Sequence, residues 1–184
     1  MPRLRKLQKR TKINLVKYEL TILGCGSAVS TVQRNAPAQV LNVLERYFLI
    51  DCGEGTQYHL RRCKLPYSRI SHIFISHRHG DHFFSLIGSL SSLSLQGRKS
   101  ELHVYADPRL QEIIASQMKL MRAAFTFPVV WHALGRQPEL IYEDKAVTVH
   151  TFPLKHRPEA PANGFLFAEK ERERHIIREM TDAF

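Results

Sequence analysis

The sequence predicts an α/β chain of the α+β kind, with short strands and helices around one core. Three observations predict it. Apolar runs of strand length recur and are closed by glycine, proline or asparagine turn signals. Segments of helical length and composition lie between several of them. A chain of 184 residues that is 43% hydrophobic and 24% charged has globular composition and enough length for one domain with a core, which excludes disordered and fibrous classes.

Residues 18–23 (YELTIL) read as a strand, broken by Gly24-Cys25-Gly26-Ser27. Glycines after a strand also mark dinucleotide sites. Here the third glycine is absent and Pro37 blocks a regular helix, so a nucleotide site is rejected. Residues 39–43 and 46–50 form a hairpin that turns Tyr47, Phe48, Leu49 and Ile50 toward the core, and the loop Asp51-Cys52-Gly53-Glu54-Gly55 follows. Residues 56–64 read as a helix closed by Pro66. Residues 72–76 (HIFIS) are a buried strand, 77–82 a loop, and 83–95 an apolar, serine-rich helix. A strand at 102–106 and a helix at 107–121, started by Asp107 or Pro108, come next. Strands at 147–152 and 164–167 and a charged helical run at 169–180 complete the chain. There is no internal repeat.

The net charge of +10 favours phosphate-rich partners. It is concentrated at the start, where Arg3, Arg5, Lys6, Lys9, Arg10, Lys12 and Lys17 precede the first acid, Glu19. Residues 1–16 are assigned as a basic tail, either simply solvated or adding non-specific RNA affinity, with an organelle transit peptide disfavoured by the short, serine-free segment, and 17–184 as the domain. Cys25, Cys52 and Cys63 have no C-x-x-C spacing and fit neither a disulfide framework nor a thiolate zinc site. No stretch approaches the roughly 18 apolar residues of a membrane helix, and no secretory signal opens the chain. A cytoplasmic protein without a membrane partner is expected.

The chemistry lies in Ser76-His77-Arg78-His79-Gly80-Asp81-His82. Residues two apart in an extended loop project to one side, so His77 and His79 can converge on one ion, while Asp81 and His82 leave the turn toward a neighbouring position. Imidazoles and a carboxylate suit zinc. Without cysteines, and with too few ligands for two closed ions, the cluster reads as an open, water-holding site.

The H-x-H-x-D-H pattern resembles the signature of the metallo-β-lactamase superfamily. Four further stretches narrow the resemblance to ribonuclease Z. They are Leu23-Gly24-Cys25-Gly26-Ser27-Ala28 with Arg34-Asn35, in which Cys25 replaces the usual threonine; Leu49-Ile50-Asp51-Cys52-Gly53-Glu54-Gly55-Thr56-Gln57, continued by Arg61-Arg62; His82-Phe83-Phe84-Ser85-Leu86 with Gly88; and Leu154-Lys155-His156 with Gly164-Phe165. The resemblance runs from Tyr18 to about Phe167 in family order.

It implies an αββα sandwich of which this chain is the N-terminal half. One sheet with its helices, and an uncovered apolar face, are expected. It implies a zinc endoribonuclease that trims precursor tRNA, leaving a 3′-hydroxyl on the tRNA and a 5′-phosphate on the trailer, with the tRNA and a second copy of the chain as partners. A complete site holds two zincs. The implied ligands are His77, His79 and His156 for one, and Asp81 and His82 for the other, with Asp81 also the proton acceptor. A bridging carboxylate and a late histidine would lie beyond Phe184, so the second position is incomplete and the chain alone is expected to be weak or inactive. Asp51 reads either as a buried acid that orients the metal loop by hydrogen bonds or as a simple turn aspartate.

His59, His72, His103, His132, His150 and His175 read as surface or core residues. Trp131, Phe125 and Phe127 read as core packing, with base stacking as the alternative. Arg61, Arg62, Lys155 and Arg157 are candidates for phosphate contact. Two other functions stay open: a non-catalytic RNA- or partner-binding chain, and another hydrolase of the superfamily.

Overall fold

The computed structural model describes residues 18–170. The tail expected at 1–16, and residues 171–180 of the charged run with His175, lie outside them. Strands β1 (Tyr18–Gly24), β2 (Ala38–Val43), β3 (Arg46–Ile50), β4 (Ile70–Phe74), β5 (Leu102–Ala106) and β6 (Val129–Ala133) form one sheet in that spatial order. β1, β2 and β3 pair antiparallel, and β3 to β6 pair parallel. Parallel neighbours need crossover connections, and these carry α1 (Thr56–Arg62), α2 (Gly80–Phe83) with α3 (Leu86–Leu95), and α4 (Pro108–Leu120). A second, antiparallel sheet is made of β7 (Glu139–Glu143), β8 (Val147–Arg157) and β9 (Ala160–Glu169).

Alternation along each strand sorts the side chains into two cores. Val40, Leu49, Ile73 and Val104 face the helices and pack with Leu60, Leu86, Leu90 and Leu110. Their neighbours Leu41, Phe48, Phe74 and Tyr105 face the second sheet and pack with Val147 and Val149. Ring contacts join the two sheets, with Phe48 5.4 Å from Phe167 and Phe74 5.3 Å from Phe165. The layers are therefore helices, sheet, sheet.

The expectation of one sheet is corrected, because the β8–β9 hairpin is long enough to bury Val147 and Val149 against the first sheet. The loop expected over 77–82 gives way at Gly80 to the single turn of α2, and the helix expected over 83–95 is confined to α3, which starts at Leu86. The expected helix at 169–180 does not begin at Glu169, which ends β9. β6 and β7 were not read from the sequence, and Trp131 lies in β6, packed against the helix-side core. Apolar side chains do remain exposed along β1, where Leu20 and Ile22 are more than half exposed, and at Leu166 on β9.

Candidate metal centre

Parallel strands β3 and β4 end side by side, and the loops leaving their C-terminal ends build the site. The chain turns at Asp51, whose φ of 57° lies in the left-handed region that aspartate tolerates better than most residues. That turn aims a buried carboxylate at the next loop. Oδ1 accepts the Ser76 amide at 2.7 Å, and Oδ2 accepts the Ser76 hydroxyl at 3.0 Å and His82 Nδ1 at 2.7 Å. Asp51 thus contacts both ends of the histidine loop.

Close approach explains the string that follows. A Cβ on Gly53 would stand 2.1 Å from the Asp81 carbonyl oxygen, so only glycine lets the two loops touch. Cys52 N donates to His82 O at 2.7 Å, Ser85 N donates to Cys52 O, and the Thr56 hydroxyl closes on Gly53 O at 2.6 Å. Gly80 is likewise covered by the ring of Phe84.

Three imidazoles converge above this base. His77 Nε2 lies 3.1 Å from His79 Nδ1, and His156 Nε2, reaching in from β8, lies 3.4 Å from the same atom. Nitrogens bound to tetrahedral zinc at about 2.0–2.1 Å stand roughly 3.3–3.4 Å apart, close to these two separations, and all three donor atoms lie within 4.8 Å of one another. Among the described residues these three form the one group able to hold a metal. Burial, and then the neighbouring His82, His79 and His156, push His77 down to about 4, which keeps it neutral and able to donate a lone pair. Its Nδ1 sits 3.2 Å from the Ser76 hydroxyl, which in turn donates to Asp51.

Asp81 and His82 lie beside this trio as a separate pair, with His82 Nε2 3.5 Å from Asp81 Oδ2 and the His82 ring 4.0 Å from that of His77. Burial pulls His82 down, but the hydrogen bond and charge of Asp51 outweigh it and the net shift is upward. Asp81 Oδ2 accepts the Ala28 amide at 3.0 Å, so the glycine-rich loop after β1 touches the site. Sequence reasoning assigned no role to Ser76, Ala28 or Asn163, whose amide donates to Ser76 O at 2.8 Å. Ser76 and Ala28 stand within the quoted motifs, but their partners Asp51 and Asp81 are distant in sequence, as is Ser76 from Asn163. His72, His103 and His132 form a stacked cluster, with the His72 ring 4.5 Å from that of Tyr142 in the second sheet.

A family profile described as "Anti-Pycsar protein Apyc1" matches residues 18–174. The chain belongs to that family. It is 47% identical over 169 residues to the ribonuclease Z of Bacteroides fragilis, a match that spans 91% of this chain and 55% of that protein. The ribonuclease Z of Bacteroides thetaiotaomicron is also 47% identical, with 53% of it covered. The human short-form tRNase Z superposes with a TM-score of 0.76 at 37% identity, covering 83% of this chain and 66% of that one. A metallo-β-lactamase fold protein from Bacillus subtilis, YhfI, shares the fold at TM-score 0.59 and 17% identity. The chain therefore has a metallo-β-lactamase fold and corresponds to the N-terminal part of ribonuclease Z, as the motifs imply. It spans about half the length of the curated relatives it matches. No helix among the described residues is long and apolar enough to cross a membrane.

Proposed function

We propose that this chain is the N-terminal portion of a zinc endoribonuclease that removes the 3′ trailer from precursor tRNA and leaves a 3′-hydroxyl on the tRNA. The observation that carries the reading is the convergence of His77, His79 and His156 from two parts of the chain separated by 77 residues. These three would hold one zinc, and Asp81 with His82 would contribute to a second position that other residues complete. Zinc bound there supplies Lewis acidity, bringing water toward a neutral pKa and stabilising charge on the phosphoryl group.

The chain's own residues do the rest. Asp51 and Ser76 orient His77 and His82 by the hydrogen bonds given above. Asp81 takes the proton of the attacking water, and the Ala28 N–H hydrogen bond to its Oδ2 holds the carboxylate in place. The basic surface, with Arg61, Arg62, Lys155 and Arg157 as candidates, holds backbone phosphates. In the same reading the basic tail of residues 1–16 precedes a domain that starts at 17, and the protein works in the cytoplasm as a homodimer. Sedimentation tests the last point, and a monomer at all concentrations would remove it.

A second reading, another hydrolase of the same fold, stays open because the matching family profile is described as an anti-Pycsar protein and not as a ribonuclease Z. One experiment separates the two: the zinc-supplemented whole protein, of which this chain is the N-terminal portion, is offered a precursor tRNA and, in parallel, a small phosphodiester. Cleavage at the 3′ end of the tRNA body supports the first reading. Turnover of the small ester alone supports the second, and RNA binding without either leaves a non-catalytic role.

A further inference from the structure

The geometry points to Arg78 as the positioning residue that holds the β8–β9 hairpin over the histidine loop and so delivers His156 to its partners. This inference rests on the metal reading above.

Arg78 lies between His77 and His79, and alternation sends its side chain away from theirs. It runs mostly buried, with 22% of the side chain exposed, toward two other elements. Its Nη2 donates to the Glu159 carbonyl oxygen in the turn joining β8 to β9. Its Nε faces Asp107 Oδ2 at 3.4 Å, a charge contact without hydrogen-bond geometry. Asp107 is itself fixed, because its Oδ1 accepts the Arg109 amide and caps α4. One guanidinium therefore joins the metal loop, the start of α4 and the hairpin turn.

The hairpin needs such a tether. Every residue from 152 to 159 is exposed, and His156 is among them. The pairing register shifts between Leu154 and Arg157, so the ladder that would stiffen His156 is interrupted where it sits. Beneath the turn is a cavity of about 450 Å³ lined by Asp107, Gly135, Pro158, Glu159 and Pro161, so packing does not hold the tip down. Asn163 N to Ser76 O anchors the hairpin where Asn163 pairs with Pro153. Arg78 anchors its end, and His156 lies between the two anchors. A planar guanidinium can meet a carbonyl and a carboxylate at once, which a lysine ammonium or an amide does less well.

The test is zinc affinity of the chain, read by competition with cobalt(II) absorption, for the parent, Arg78→Gln, His156→Ala and the double variant. Arg78→Gln should weaken zinc binding about tenfold. Added to His156→Ala it should cost nothing more, because a residue that acts through His156 has no effect once that ring is gone. Asp107→Asn, which keeps an oxygen to cap α4, should weaken binding in the same direction, and Arg78→Lys should recover part of the loss. Urea unfolding of the metal-free variants reports the fold separately. Parent-like zinc affinity in folded Arg78→Gln and Asp107→Asn, or losses that add in the double variant, would overturn the role of Arg78 while leaving the metal site standing. No zinc binding by the parent would overturn the metal reading and this inference with it.

Discussion

Asp51 Oδ2 lies 2.7 Å from His82 Nδ1, although 31 residues separate them, and the same carboxylate receives the Ser76 amide through its other oxygen. A single buried acid thus fixes the strand end from which the metal loop starts and the histidine at which it closes. Asp51→Asn keeps the size but puts an amide nitrogen or an uncharged oxygen opposite His82. The expected outcome is a loss of about 2 kcal/mol in stability, as for a buried hydrogen bond to a charged group. Zinc affinity should fall about 10- to 100-fold. Urea unfolding and zinc competition measure the two effects, and a variant unchanged in both would reduce Asp51 to a turn residue.

Asp81→Ala should abolish cleavage of precursor tRNA, measured with the whole protein of which this chain is the N-terminal part. Affinity for the RNA should stay within about threefold of the parent, because phosphate contacts are spread over many basic side chains. Turnover that survives would take Asp81 out of the proton transfer.

Gly53→Ala tests the loop contact independently of the chemistry. The added methyl would meet the Asp81 carbonyl oxygen at 2.1 Å, and both partners are backbone or close to it. Overpacking of this kind costs roughly 1–3 kcal/mol. The urea midpoint should fall accordingly, and an unchanged midpoint would show that the loops can separate freely.

Stability should also depend on pH through His72, which burial first, and the charges of His103 and His132 next, push down to about 4. In the unfolded chain the same imidazole titrates near 6.5. Between those values the unfolded chain holds more protons, so stability rises with pH across this window. The contribution is fully present above about 6.5 and is lost as pH falls toward 4. Since His72 is partly exposed, on the order of 2 kcal/mol is expected rather than the full shift. Urea unfolding at pH 7 and pH 4.5 should show a smaller acid loss for His72→Gln than for the parent. Equal losses would assign the acid sensitivity elsewhere.

The sequence alone determined the order of most strands and helices and the location of the histidine loop. Its alternating apolar runs carry the first, and H-x-H-x-D-H packs metal donors at a spacing too local for folding to rearrange. The string Leu49 to Gln57 carries the family resemblance, and the structure gives it a physical reason in the close approach of Gly53 to Asp81 O. Tertiary structure decided the rest. β6 and β7 escaped notice because VVWHA and ELIYE are short and mostly half-exposed or exposed, and they become strands through partners elsewhere in the chain. The second sheet exists because Phe165 and Phe167 meet Phe48 and Phe74 across the core, a pairing that no local period encodes. Ala28, Asn163 and Arg78 bear on the site through contacts with distant residues, and Ser76 joins its neighbour His77 to the distant Asp51. Side-chain type and spacing are local properties, whereas which surfaces meet depends on how the whole chain buries its apolar area.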